Sequence, residues 1–168
     1  MKIKKKFEDV QKDWKDKNSG TPYPKKMADI LDENSVFNFP EGVPAFEDAK
    51  RFVIVINPKI KPFLYLKSLD VEGLGFICVD PFLVCSDFTV NIPAKDKSLL
   101  ELKNSEDALI LSLVTVDSDP KNTTTNLLAP VVINIENNTG VQVILDDKNP
   151  VRYRIWEGLE AFEKSLRG

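Results

Sequence analysis

The chain of 168 residues contains no histidine, two cysteines (Cys78 and Cys85) and seven glycines. Each shortage removes a class of chemistry. Without histidine, the commonest general base and the commonest metal ligand are missing, so a serine or cysteine nucleophile would have no imidazole partner. Two thiolates fall short of the four ligands of a structural zinc site. In an intracellular chain they read as buried free thiols rather than a disulfide. The glycines are scattered, and none falls into the GxGxxG or GxxxxGK spacing that cradles phosphates. No apolar run approaches a membrane span; the longest, Ala108–Val116, is interrupted by polar residues and suits a buried strand. The lysines at the start lead into Phe7-Glu-Asp-Val-Gln-Lys12, too charged for a signal-peptide core. These shortages lead us to expect a soluble cytoplasmic protein that is not an enzyme and needs no metal or cofactor.

What remains is enough for one domain. Apolar residues make up 42% of the chain and charged residues 29%, a balance that excludes wholesale disorder. A body of this size buries roughly two-thirds of its unfolded surface and needs no covalent staple. Charge is unevenly spread. Residues 1–26 carry nine lysines against four acids, whereas the remainder carries 14 basic and 22 acidic residues. An acidic body disfavours direct nucleic-acid binding and suits a basic protein partner, although ordinary solubility explains it equally well.

Residues 1–20 stand apart. Ile3, Phe7, Val10 and Trp14 recur every three or four positions, the spacing of one narrow helical stripe, and Asn18-Ser-Gly20 with Pro22 and Pro24 ends it. We expect a lysine-rich amphipathic extension there, helical or disordered, separable from the body. Residues 21–150 read as β. Arg51–Asn57 and Gly75–Val79 are β-branched or aromatic runs closed by Pro58 and Asp80-Pro81. Asp87–Ile92 alternates apolar and polar residues. The most distinct hairpin joins Val131–Ile135 to Val141–Leu145 through Glu136-Asn-Asn-Thr-Gly140, with Gly140 able to take positive φ. Helical spacing returns at Asp96–Leu102 and, in a tail over residues 151–168, at Ile155, Leu159, Phe162 and Leu166. The expected fold is all-β with minor α: a single antiparallel β-barrel-like domain with short helices, mainly at the termini.

Chemical constellations are weak. Asp117–Asn126 alternates carboxylates like a calcium loop, but its sixth and twelfth positions are Asn122 and Leu128 rather than glycine and an acid. Asn122-Thr-Thr124 and Asn137-Asn-Thr139 match the glycosylation pattern without a secretion signal. The pairs Asp32/Glu33 and Asp146/Asp147 are adjacent, so on a strand they point to opposite faces. Phe39, Phe46, Phe82 and Phe88 lie near turns and read as core plugs. Asn126 and Asn134 read as caps for loop backbone.

Five segments, in order, carry a resemblance. Asp32–Phe39 leads into Phe39-Pro-Glu-Gly-Val-Pro-Ala-Phe-Glu47. Next come Phe63–Leu69 and Phe76-Ile-Cys-Val-Asp-Pro-Phe82, then Asn126-Leu-Leu-Ala-Pro-Val-Val-Ile-Asn134 and Gly140–Leu145. Over about Tyr23 to Pro150 the chain resembles the FliW family of flagellar assembly factors. Ala45 stands where the family usually has glycine, and Lys67 where glutamine is common. The resemblance implies Phe39, Pro40, Glu41, Gly42, Pro44, Phe46, Asp80, Pro81, Phe82, Asn126, Leu127, Ala129, Pro130 and Asn134 as motif residues, structural or partner-binding. It implies a protein, monomeric when free, that binds flagellin and antagonises the translational repressor CsrA, coupling flagellin level to flagellin mRNA translation without touching nucleic acid or membrane. A flagellin chaperone with no role in translational control is the alternative, and a small-molecule-binding barrel would need an apolar cavity.

Overall fold

The alternation of side chains along two strands organises the molecule. In the computed structural model, which describes residues 1–5, 35–146 and 148–167, β7 (Ala108–Thr115) and β9 (Val131–Asn134) are apolar at nearly every position. They pair antiparallel, Leu109 opposite Ile133 and Ile110 opposite Val132. Successive side chains point to opposite faces, so both faces of this pair must be covered. Leu109, Leu111, Val131 and Ile133 enter one core and Ala108, Ile110 and Val132 a second.

The first core fills the inside of a ring of strands. β2 (Phe37–Asn38), β3 (Arg51–Val55), β4 (Leu64–Ser68), β5 (Gly75–Val79) and β7 follow one another by antiparallel pairing, and β9 continues into β10 (Thr139–Gln142). Phe37, Phe39, Phe52, Leu64 and Leu66 point inward to meet Leu109, Leu111 and Ile133. The ring returns from β10 to β2 through one residue pair, Thr139 with Asn38, and that contact is parallel. The sheet is therefore mixed, not wholly antiparallel as expected. Both strands meet here at their ends, where the chain directions set by their hairpins coincide.

The second core lies on the other side of β7, β9 and β10. Over it fold α1 (Pro81–Val84), Phe88, β6 (Val90–Asn91), the end of α2 (Ala94–Leu99) and the start of α3 (Trp156–Arg167). α3 seats Gly158 against the Val84 carbonyl; a Cβ there would stand 1.9 Å from that oxygen. At the edge, β8 (Thr124–Thr125) links β7 to β11 (Tyr153–Arg154), so sheet pairing continues past residue 150.

Asp80-Pro81 closes β5 and also starts a helix: Asp80 Oδ1 accepts the Phe82 N–H at 2.9 Å and Pro81 takes the first turn of α1. Three expectations need correction. Asp87–Ile92 supplies only a two-residue strand. Its partner is β1 (Lys2–Ile3), where Ile3, placed on a helical stripe above, is a buried strand residue. The rest of that stripe lies outside the described residues. In the closing hairpin the positive φ belongs to Asn138 (57°), and Gly140 sits within β10. Gly140 is needed there for space, since a Cβ would meet the Phe39 ring at 2.5 Å. Both cysteines are free; Cys78 is buried and its thiol is pushed up to about 12 by desolvation, whereas Cys85 is only half-buried.

Candidate partner-binding site

The Phe39–Glu47 segment forms the connection between β2 and β3, and its backbone closes on itself. The Phe39 N–H donates to the Lys50 carbonyl at 2.7 Å, Gly42 to Phe39 at 2.9 Å, and Phe46 to Val43 at 2.7 Å. Gly42 has φ 69° and lies against the Glu47 backbone, where a Cβ would come within 2.5 Å. Only glycine meets both demands. Ala45 also sits at positive φ, 71°, and there no glycine relieves the strain. Its N–H donates to Glu47 Oε1 at 3.1 Å.

The far side of the connection is pinned by charge. Asp70, in the β4–β5 loop, accepts the Lys50 and Arg51 N–H groups at 2.8 and 2.7 Å and the Arg51 Nε–H at 2.8 Å. The Arg51 guanidinium, helped by the two main-chain donors, holds the Asp70 carboxyl below its ordinary range against a smaller desolvation cost. Lys50 Nζ reaches back to the Pro40 carbonyl at 2.9 Å.

This scaffold leaves apolar and acidic groups facing out. Phe39 is wholly buried, edge-on to Phe52 at 4.9 Å, but Phe46 is 41% exposed and meets Phe76 edge-on at 5.9 Å. The expectation that Phe46 plugs the core is therefore wrong: the tight turn at Val43 turns its ring to the rim. Pro40, Glu41, Pro44, Ala45, Glu47 and Asp48 are exposed beside it. Glu41 makes one surface ion pair, with Lys95 at 3.4 Å, which contributes little. Asp96 is raised by partial burial, a shift that Lys95 opposes and Glu41 adds to.

The remaining motif residues are not brought to this surface. Asp80 and Pro81 start α1, and Phe82 is buried against Phe88 at 5.3 Å. Asn126 Oδ1 accepts the Leu128 and Ala129 N–H groups at 3.0 and 3.1 Å, shaping the entry to β9. Leu127 is buried, Pro130 accepts the Val143 N–H, and Ala129 accepts the Gln142 side-chain amide at 2.9 Å. Buried Asn134 donates to the Leu100 carbonyl at 2.9 Å and accepts the Glu136 N–H at 3.0 Å. It braces the end of α2, where Glu101 adopts φ 52°.

Sequence reasoning missed a second exposed surface. Strand register puts Val55, Tyr65 and Ile77 in one row across β3–β5, on the face opposite the interior, with Val53 and Lys67 in the next. Val55 is 42% exposed, and the Tyr65 ring lies over Gly75. The alternation in Arg51–Val55 was the available signal, but two of its three outward positions, Val53 and Val55, are apolar. Among the described residues no group of acids or cysteines is arranged to hold a metal.

A ring of strands with a one-sided helical cover, a charge-pinned turn and exposed apolar rims has the build of a protein-binding module. The sequence profile of the FliW protein family matches residues 26–155. The flagellar assembly factor FliW of Caldicellulosiruptor bescii is 35% identical over 137 residues, covering 81% of this chain and 89% of that protein. The FliW of Clostridium botulinum strain Alaska E43 is 40% identical over 115 residues, 68% and 82% of the two chains. A crystal structure of the flagellar assembly factor FliW superposes with a TM-score of 0.69 at 28% identity, covering 74% of this chain and 88% of the other. The chain belongs to the FliW family of flagellar assembly factors.

Proposed function

We propose that this protein acts by reversible protein binding. It holds flagellin, and when flagellin is scarce it holds the repressor CsrA instead, relieving repression of flagellin mRNA. Family membership supplies the frame. The observation that carries the reading is the β2–β3 connection, where exposed Phe46 and Pro44 share one segment with exposed Glu41, Glu47 and Asp48, of which Glu41 pairs with Lys95. An apolar anchor within an acidic rim suits a basic protein surface, the rim steering encounter and the anchor holding the complex. The flanking body is acidic too, with 22 acids against 14 basic residues beyond position 26.

Two ligands coupled through one protein must obey reciprocity: if flagellin weakens CsrA binding tenfold, CsrA weakens flagellin binding by the same factor. Calorimetry with purified flagellin and CsrA, added in both orders, tests this. Each is expected to bind alone and to displace the other, and association with CsrA should slow as salt is raised. Simultaneous binding at undiminished affinity would overturn the switch and leave a flagellin chaperone. Failure of flagellin to bind would overturn both.

A further inference from the structure

Strand alternation breaks at the foot of the β2–β3 connection. In a regular antiparallel strand each residue sends its N–H and C=O to the same side. Lys50 does not. Its carbonyl accepts the Phe39 N–H on the β2 side at 2.7 Å, while its own N–H turns to Asp70 on the β4 side at 2.8 Å. Arg51 beside it is regular, with its N–H on Asp70 at 2.7 Å and its carbonyl accepting the Leu69 N–H at 2.9 Å. The chain therefore kinks at Lys50, and the kink sets the angle at which residues 39–49 leave the sheet. Asp70 is itself aimed from behind: the buried Ser68 hydroxyl accepts the Asp70 and Val71 N–H groups at 3.2 and 3.0 Å, fixing the start of the β4–β5 loop.

This carboxylate has nothing left to offer a partner. Its Oδ2 accepts the two main-chain N–H groups, and its Oδ1 takes the Arg51 Nε–H and Nη2, each at 2.8 Å. A carboxylate has about four acceptor sites, so all are in use. The Asp70 side chain is 20% exposed, against 56% for Arg51. In this it differs from Glu47 and Asp48, the exposed acids of the connection itself. We propose that Asp70 is a positioning residue for partner binding: it holds the kink at Lys50, and through it the orientation of exposed Phe46, without touching the partner. The rim acids act on a basic partner through solvent, whereas Asp70 acts through the backbone it captures. The inference rests on the role given above to the Phe46 surface.

Calorimetry with purified CsrA on the full chain tests it, with site-resolved amide exchange by NMR reporting the turn in the free protein. Asp70→Ala should lower CsrA affinity about tenfold and quicken exchange of the Gly42 and Phe46 amides, which bond within the connection, while Leu109 and Ile110 in the cores change far less. Asp70→Asn keeps an oxygen for the two N–H groups and should bind within about threefold of the unaltered chain. Equal losses in the two variants would assign Asp70 a purely electrostatic role and overturn the proposal. On a Phe46→Ala background, Asp70→Ala should cost little further affinity, because the ring it positions is gone. Additive losses would mean that Asp70 meets the partner directly, which also overturns it. Should Asp70→Ala not fold, Ser68→Ala, which loosens the loop aiming the carboxylate, should give the same losses in smaller measure; no change there overturns the proposal. Unchanged CsrA affinity in Asp70→Ala overturns the positioning role and leaves the proposed function intact. If the unaltered chain binds neither CsrA nor flagellin, both fail together.

Discussion

The β2–β3 connection and the β9–β10 hairpin are both turns between paired strands, yet they spend their apolar residues differently. The hairpin buries Val131, Val132, Ile133, Val141 and Val143 almost completely, and Asn134 at the end of β9 and Asn137 in its loop bond main-chain groups within the protein. The connection buries Phe39 and Val43 but leaves Phe46, Pro44 and Ala45 outside. Its backbone is no looser, with Gly42, Asp70 and Lys50 fixing it from three sides. An ordered turn that exposes an aromatic ring would lose little conformational freedom if a partner bound there. The contrast teaches that a motif's residues divide into those that make the backbone and those the backbone presents.

Substitutions can break this contrast. On the hairpin side, Ile133→Ala, or Leu111→Ala on the β7 strand beside it, should cost about 2–5 kcal/mol through the cavity left inside the ring, lowering the denaturant midpoint at unchanged slope. In the connection, Gly42→Ala should cost about 2 kcal/mol, combining positive φ with a clash on the Glu47 backbone, and should weaken partner binding with it. Phe46→Ala separates the two roles: stability should change by less than about 1 kcal/mol, while CsrA or flagellin affinity falls tenfold or more, about 1.4 kcal/mol. Loss of stability without loss of binding would return Phe46 to the core. Ala45→Gly should gain about 0.5–1 kcal/mol by relieving φ 71°, visible as a raised thermal midpoint. The smallest effect concerns pH. Because Asp70 titrates below its ordinary value of 3.8, its pairing stabilises the fold fully above that pH, and the contribution disappears as acid carries pH down through the lowered value. In Asp70→Asn that part of the acid sensitivity should be absent.

Periodicity revealed much of this fold because it reports burial. Ala108–Thr115 and Val131–Asn134 are strands whose apolar residues are largely buried, and their apolar density made them legible, whereas the return strand, Thr139–Gln142, starts two residues before the expected Val141–Leu145. Asn126 and Asn134 read as caps, and both bond loop or strand-end backbone. Periodicity fails where tertiary contacts decide. Lys2–Ile3 is a strand only because β6 lies beside it. The parallel meeting of β2 with β10 depends on where two hairpins end in space. Phe46 has the composition of a core residue, and only the path of the chain through Val43 and Ala45 puts it outside.

The β7–β9 pair has a consequence for how the molecule comes apart. Each core uses this pair as one of its walls, so neither can open while the other stays packed without baring an apolar face to water. Unfolding should therefore proceed as a single event rather than core by core. The amides of Leu109, Ile110 and Val132 should exchange only through global opening. A ligand seated on the helical side then stabilises the barrel side by the same free energy, because the molecule has one folding equilibrium for both.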